Sequence, residues 1–264
     1  MPDPFYFGDR QRLLFGLRHS TKATPNGALL VCGPLLQENI RCQRALWSLG
    51  QAVAAQGTEV LRFDWYGSGD SGGDSVDMNL PGLLSDIAVA KEHLISAESP
   101  VRSRLLGLRS AAIPLLLQSS SSAIPVDIVL WAPVLEGPLL VAAWREQHRR
   151  QLYSTGRFPK SPLPADDNEL LGFVVDDALL SALQAFKYER IALPEGSRLL
   201  LVQWQSSVCT DEFMRRQRAA GVDVECLQLA PGDEPDWDNA DDFETQIFPR
   251  MAVNRVAAYL AETA

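Results

Sequence analysis

The sequence has few histidines, no excess of positive charge and no long apolar run, and each of these shortages excludes a class of protein. Of its 264 residues only three are His, and 24 Lys and Arg stand against 33 Asp and Glu, which gives a net charge of −9. This acidity argues against a surface that binds nucleic acids or anionic membranes. No run approaches the roughly 18 apolar residues of a membrane helix, so we predict a soluble chain without a membrane span.

The sequence also lacks cysteine motifs. Its four cysteines show neither a Cys-x-x-Cys pair nor a His/Cys spacing that suits a metal ion, so we predict reduced structural thiols and no metal site. The first residues have no basic segment followed by an apolar stretch, so no secretory signal is visible and we expect a cytoplasmic location. A hydrophobic share of 46% is enough for a sizeable core, and the length predicts a single domain over residues 1–264.

Apolar runs alternate with amphipathic segments along most of the chain. An unbroken apolar run at 28–32, and largely apolar runs at 59–64, 104–108, 126–131 and 197–204, are typical of strands that are buried on both faces of a parallel sheet. An earlier run at 12–19 indicates a leading antiparallel strand. Apolar residues at helical spacing follow several of these runs. The alternation predicts an α/β fold, with a mostly parallel, doubly wound sheet and helices on both faces.

The alternation stops between residues 138 and 194. A helix is predicted over 139–152, a loop with three prolines follows, and one or two helices are predicted over 168–186. We therefore interpret 138–194 as an inserted helical segment.

The chain is organised around residues 104–112, where a strand, a tight turn and a helix start follow one another. This succession is typical of the nucleophile elbow, whose usual motif is Gly-x-Ser-x-Gly. Counting from Gly107 places Arg109 where the serine should stand, and Ser110 comes one residue later. The stretch therefore predicts the fold more strongly than it predicts a reaction.

Two further motifs complete a family resemblance. Asp64-x-x-Gly67-x-Gly69-x-Ser71 is similar to the turn after the fourth strand in many α/β-hydrolases, and Gly-Pro-Leu-Leu-Gln-Glu-Asn fills 33–39. Together with the elbow, these motifs resemble a bacterial α/β-hydrolase-like subgroup. It includes hydrolases associated with exosortase systems, some of which place an arginine at the elbow.

The resemblance covers nearly the whole chain. It implies an α/β-hydrolase fold in which 138–194 forms a helical cap over the carboxyl ends of the strands. The glycine-rich loop has neither dinucleotide nor Walker spacing, so we predict no nucleotide cofactor and no other cofactor.

The resemblance also implies a catalytic triad in the chain order Ser, Asp or Glu, His, and all three positions are altered. His19, His93 and His148 all precede the eighth strand, and 230–239 has no His where the family would place one. In the region of the acid, Asp211 is better explained as a residue of a helix N-terminus. Without a His base, a serine hydroxyl is a poor nucleophile. We therefore predict a degenerate triad.

One interpretation of Arg109 is an anion-binding pocket. At an elbow its guanidinium would stand near a helix N-terminus, where the dipole and free N–H groups favour anions, and it can bind a carboxylate or phosphate with two hydrogen bonds. Former oxyanion-hole N–H groups would assist, and the candidates are those of Leu35, Leu36 and Ser110.

Two other interpretations stay open. Arg109 could pair with Glu38 or Asp70 and simply fill the old active site. Alternatively, the register shifts by one residue and the chain is an active esterase, thioesterase or acyltransferase. Its nucleophile, base and acid would then be Ser110, His148 and Glu136.

The sequence thus predicts two function classes. The first is a catalytically degenerate α/β-hydrolase that binds a small anionic or acyl ligand, or a protein partner, through the old pocket and cap. The second is a working hydrolase with unusual residues. A fold alone does not choose between the two, and a homo-oligomer is compatible with both.

Overall fold

The computed structural model describes residues 2–22, 24–95, 102–154, 169–237 and 245–263. Eight strands form one sheet and two short strands form a separate hairpin. The strands are β1 (Asp3–Gly8), β2 (Leu13–His19), β3 (Gly27–Cys32), β4 (Thr58–Phe63), β5 (Ser103–Leu108), β6 (Asp127–Trp131), β7 (Glu169–Leu170), β8 (Phe173–Val174), β9 (Arg198–Gln203) and β10 (Asp223–Gln228).

The large sheet has the strand order β1-β2-β4-β3-β5-β6-β9-β10. β1 pairs antiparallel with β2, β2 pairs antiparallel with β4, and the remaining neighbours are parallel. All six residues of β3 are buried, as expected for an apolar strand that is covered on both faces. The predicted sheet, including its antiparallel leading strand, is confirmed.

Helices cover both faces of the sheet. They are α1 (Leu36–Ala54), α2 (Leu80–Leu94), α3 (Ala112–Ser120), α4 (Gly137–Ser154), α5 (Asp177–Gln184), α6 (Val208–Ala219) and α7 (Arg250–Glu262). One core cluster lies between the sheet and α1 with α7, and another lies on the opposite face with α2, α3 and α6. The sheet thus lies between two layers of helices, and the carboxyl ends of its parallel strands meet along one edge. Folds of this kind bind their ligands at that edge.

The segment between β6 and β9 departs from the predicted succession of helices. α4 and α5 are present, but the β7–β8 hairpin stands between them in place of helix over 169–174. Leu171 and Gly172 form its two-residue turn with φ of 55° and 89°, and positive φ at both positions is the geometry that tight hairpins require. Leu rarely adopts positive φ, so the residue types Leu171-Gly172 do not predict this turn. The predicted proline loop over 155–168 lies outside the described residues.

Candidate functional site

The elbow is a strained strand-to-helix turn with Arg109 at its apex. β5 ends at Leu108, and Arg109 adopts a left-handed φ of 53° before a short 3-10 turn leads into α3. A non-glycine residue in this region stores strain and persists only where its surroundings hold it. Gly107 allows the close packing, because a Cβ there would lie 2.9 Å from Leu115 Cδ2. The turn therefore has the backbone of a nucleophile elbow and a cationic side chain at the nucleophile position.

The Arg109 guanidinium is neutralised by a buried carboxylate. Arg109 Nη2 and Nε lie 3.1 Å and 3.2 Å from Oε1 of Glu38, which stands in the first turn of α1. The guanidinium carbon also lies 4.9 Å from the centre of the Trp237 ring, within the range of a cation–π contact. Trp237 is itself fixed by its carbonyl oxygen, which accepts a hydrogen bond of 3.0 Å from Arg41 Nη1. Arg109 is thus held between a carboxylate and an indole.

Ser110 belongs to the same network and is fully buried. Its Oγ donates a 2.7 Å hydrogen bond to Glu38 Oε2 and accepts a 2.9 Å hydrogen bond from the Leu35 N–H. The Glu38 carboxylate therefore accepts from the guanidinium through one oxygen and from the hydroxyl through the other. This arrangement satisfies both side chains of the elbow from within the protein.

The Leu35 N–H, one of the predicted oxyanion donors, already has a hydrogen-bond partner within the protein. The Leu35 N–H donates to Ser110 Oγ, so it does not stand ready for a ligand oxygen. Leu36 begins α1 with a φ of 52°, and its side chain is part of the buried core. In this structure the Ser110 hydroxyl accepts from the Leu35 N–H, so the role of Leu35, Leu36 and Ser110 as oxyanion donors stays a prediction.

Asp70 lies away from the Arg109–Glu38 pair. It is exposed on the loop after β4, where its N–H donates a 3.1 Å hydrogen bond to Asp64 Oδ2. Its surroundings are a groove between α1 and β2. Of the two carboxylates considered as partners for Arg109, the structure therefore places Glu38 at the guanidinium.

The described residues do not join His148, Glu136 and Ser110 in one hydrogen-bonded triad. His148 Nδ1 accepts a 3.1 Å hydrogen bond from the Leu171 N–H, which fixes α4 against the hairpin. Glu136 is exposed, and its backbone forms a bridge with Lys187. The Ser110 proton points to Glu38 instead. The shifted-register hypothesis placed these three residues together because their chain positions alone allowed it.

Other nucleophile and acid candidates are also accounted for. Burial raises the pKa of the Cys32 thiol, so a thiolate there is strongly disfavoured. Asp211 stands in the first turn of α6, where an acidic side chain complements the helix dipole.

In the described ranges no group of three or more His, Cys, Asp or Glu side chains could hold a metal ion. Within the same ranges, no helix has both the length and the apolar composition that crossing a membrane requires.

Sequence reasoning missed Trp237. This residue falls within 230–239, the stretch where the resemblance expects a His, and it contacts the residue that replaces the nucleophile. Only the absence of a His at that point could have directed attention to it.

Solved structures of the same architecture cover almost the whole chain. Est1E from Butyrivibrio proteoclasticus, with ferulic acid bound, matches with a TM-score of 0.68 at 13% identity, over 98% of this chain and 97% of its own. Alpha/beta hydrolase domain-containing protein 10 from mouse matches with a TM-score of 0.56 at 13% identity, over 99% and 100%. The chain has the α/β-hydrolase fold. The Pyrococcus furiosus esterase Pf2001 also matches, with a TM-score of 0.54 at 14% identity, over 99% and 92%.

No protein-family model matches the chain, and no curated protein matches its sequence. The resemblance to exosortase-associated proteins therefore stays a prediction, while the α/β-hydrolase fold stands on the structures. Within this fold the apex of the elbow ordinarily carries the nucleophile. Here the apex carries Arg109, whose charge is satisfied by Glu38.

Proposed function

We propose that this protein is a non-hydrolytic member of the α/β-hydrolase fold that acts by binding a small carboxylate or acyl ligand, or a protein partner, at the old active site. The observation that carries the proposal is the Glu38 carboxylate, which accepts from both Arg109 and Ser110. Segment 138–194 would serve as the cap over this edge of the sheet.

Ser110 does not support serine hydrolysis in this arrangement. A nucleophilic hydroxyl must reach the substrate carbonyl and pass its proton to a base. The Ser110 hydroxyl is fully buried, and its proton is directed to a carboxylate that is already paired with a guanidinium. The Leu35 N–H, which a developing oxyanion would need, is occupied by the same hydroxyl.

The same geometry supports recognition of a carboxylate. Arg109 and Ser110 present three donor contacts to one carboxylate, that of Glu38, and charge-assisted contacts of this kind are the usual means of binding such a group. An external carboxylate would take the place of the Glu38 side chain. The internal carboxylate therefore competes with the ligand and sets its affinity.

The test is a calorimetric titration with acetate, octanoate and phosphate monoesters of wild type, Glu38→Gln and Arg109→Ala. Glu38→Gln keeps the shape of the side chain and removes its charge, so it should bind carboxylates at least about tenfold more tightly than wild type, which corresponds to about 1.4 kcal/mol. Arg109→Ala should bind least. Equal affinities in the three proteins, or no binding in Glu38→Gln, would remove the anion site.

A second candidate is an active esterase or thioesterase. It is favoured by the 2.7 Å hydrogen bond between Ser110 and Glu38, since a carboxylate can act as a base for a hydroxyl. Turnover of p-nitrophenyl esters and acyl thioesters by wild type and Ser110→Ala separates the two candidates. Activity that disappears in Ser110→Ala would favour the enzyme.

A further inference from the structure

The groove that Asp70 borders has a volume of about 470 Å³ and lies between α1 and the edge of the sheet formed by β2 and β4. Its lining includes none of Arg109, Ser110 or Glu38, so it is distinct from the elbow. Phe15 and Leu17 of β2 form part of its floor, and Ile40 and Trp47 of α1 form one wall. The groove therefore offers aromatic and aliphatic surface on two sides.

This apolar surface is unusually open. Ile40 and Trp47 are both about half exposed, although Trp47 is one of the largest side chains of the protein. The Tyr6 ring, also largely exposed, lies 5.4 Å from the Phe15 ring and continues the same face towards β1. Large exposed apolar side chains gathered along one groove are typical of a binding surface.

A buried guanidinium stands in the floor of this groove. Arg62 is 8% exposed, and it lines the groove beside Gln43, whose Oε1 accepts a 2.5 Å hydrogen bond from Arg62 Nη2. In the described part of the chain, Arg62 Nε has no hydrogen-bond partner and no salt bridge within 4.0 Å includes Arg62, although the charge of Asp64 opposes the lowering of the Arg62 pKa by burial. A buried guanidinium N–H without an acceptor is unfavourable, so a carboxylate oxygen that reached it would be stabilising.

The groups around Arg62 restrict where an anion can lie. His19, the neighbour on the β2 side, has its pKa lowered to about 4 by burial and by the charge of Arg62, so it is neutral at physiological pH. Asp64 and Asp70 stand at the loop end of the groove. Burial raises the pKa of Asp64, while Asp70 is exposed at the rim. A ligand carboxylate is therefore favoured beside Arg62, away from the two acids.

We propose that this groove is a second binding site, which takes a small organic carboxylate with an apolar tail. The carboxylate pairs with Arg62, and the tail lies along Trp47, Ile40 and the Phe15–Leu17 floor. The site needs no hydrolytic chemistry and goes beyond the function proposed for the elbow.

The experiment compares three ligands that share one tail. Octanoate, octanol and octylamine are titrated into the full chain by calorimetry at fixed ionic strength. Wild type should bind octanoate saturably and at least tenfold more tightly than octanol or octylamine. Equal binding of octanol, tighter binding of octylamine or no saturable binding would overturn the proposal, since each excludes carboxylate recognition by Arg62.

Variants assign the binding to the groove. Arg62→Gln should lower octanoate affinity at least tenfold, to the level of octanol, and Trp47→Ala should weaken all binding. Arg215→Gln, at a largely exposed arginine of α6, is the matched control and should change nothing. Unchanged octanoate affinity in Arg62→Gln would contradict the site. The unfolding temperature of Arg62→Gln should equal or exceed that of wild type, and the three-ligand comparison stands even if this variant does not fold.

One further variant separates the two sites. The elbow is proposed to take a related ligand, so octanoate binding is measured in Arg109→Ala as well. Binding that falls in Arg62→Gln and persists in Arg109→Ala belongs to the groove. Binding that falls only in Arg109→Ala belongs to the elbow and overturns the groove site.

Discussion

Arg109 combines a left-handed backbone with a nearly buried charge, and its surroundings hold both. Glu38 supplies the counter-charge, and Trp237 covers the guanidinium. The single carboxylate of Glu38 also accepts the Ser110 hydroxyl proton. Two side chains, those of Arg109 and Ser110, therefore depend on one acceptor, so the elbow should be sensitive to its loss.

Replacing Glu38 by Ala should destabilise the protein by about 3–5 kcal/mol, because it leaves the guanidinium of Arg109 without its counter-charge and the Ser110 hydroxyl without its acceptor. Urea unfolding at neutral pH measures the change. The control is Glu146→Ala, which removes an exposed carboxylate paired with Arg149 and Arg150 and should have little effect. A similar small effect for both variants would show that the elbow network is not structural.

His19 should make stability depend on pH. Burial and the charge of Arg62 lower its pKa from 6.5 to about 4. Above pH 6.5 the imidazole is neutral in both states. As the pH falls from 6.5 to 4 the unfolded chain binds a proton that the folded chain does not, so the free energy of unfolding decreases, by up to about 3 kcal/mol. Below pH 4 this contribution is constant.

The measurement is urea unfolding of wild type and His19→Met at several pH values between 7.5 and 4. The stability of wild type should fall relative to the variant across this range. A constant difference between the two proteins would mean that folding does not shift the pKa of His19.

At the scale of single elements, α1 links the two proposed sites. Its first turn carries Glu38 at the elbow, and the next turns carry Ile40, Gln43 and Trp47 along the groove. Further along, Gly50 packs directly against the His19 ring. The position of α1 over the sheet therefore determines the geometry of both sites.

Gly50→Ala tests this packing. In an ordinary helix interior this change stabilises by about 1 kcal/mol. At Gly50 a Cβ would lie 2.7 Å from His19 Nε2, so the variant should instead be less stable by about 1–3 kcal/mol. Thermal or urea unfolding gives the sign, with Ser48→Ala on the same helix as control. A stabilised Gly50→Ala would show that α1 can move away from β2 without loss.

Elements could be predicted from the sequence where their residues follow a standard local pattern, and were missed where the local residues are atypical or where a contact joins distant parts of the chain. The elbow could be located because Gly107 and Arg109 occupy fixed positions in one turn. The β7–β8 hairpin was missed because Leu171 adopts a φ of 55° that its residue type disfavours. The contact of Trp237 with Arg109 joins residues far apart in the chain, and no spacing rule announces it.

At the scale of the whole molecule, the fold could be predicted almost completely and the site only in part. The alternation of buried strands and helices restricts the topology to few solutions, and the solved structures agree over nearly the whole chain at 13% to 14% identity. The groove could not be predicted, because it depends on how far α1 leaves the faces of β2 and β4 uncovered. The fold of this protein can thus be known without knowing the chemistry of its site.

We propose that the elbow does not present a nucleophile. Incubation of the purified protein with a fluorophosphonate probe, followed by intact mass measurement and peptide mapping, tests it directly. We expect no adduct at Ser110 in wild type, because the hydroxyl is buried and donates a hydrogen bond to Glu38. A stoichiometric adduct at Ser110 that is absent from Ser110→Ala would contradict it.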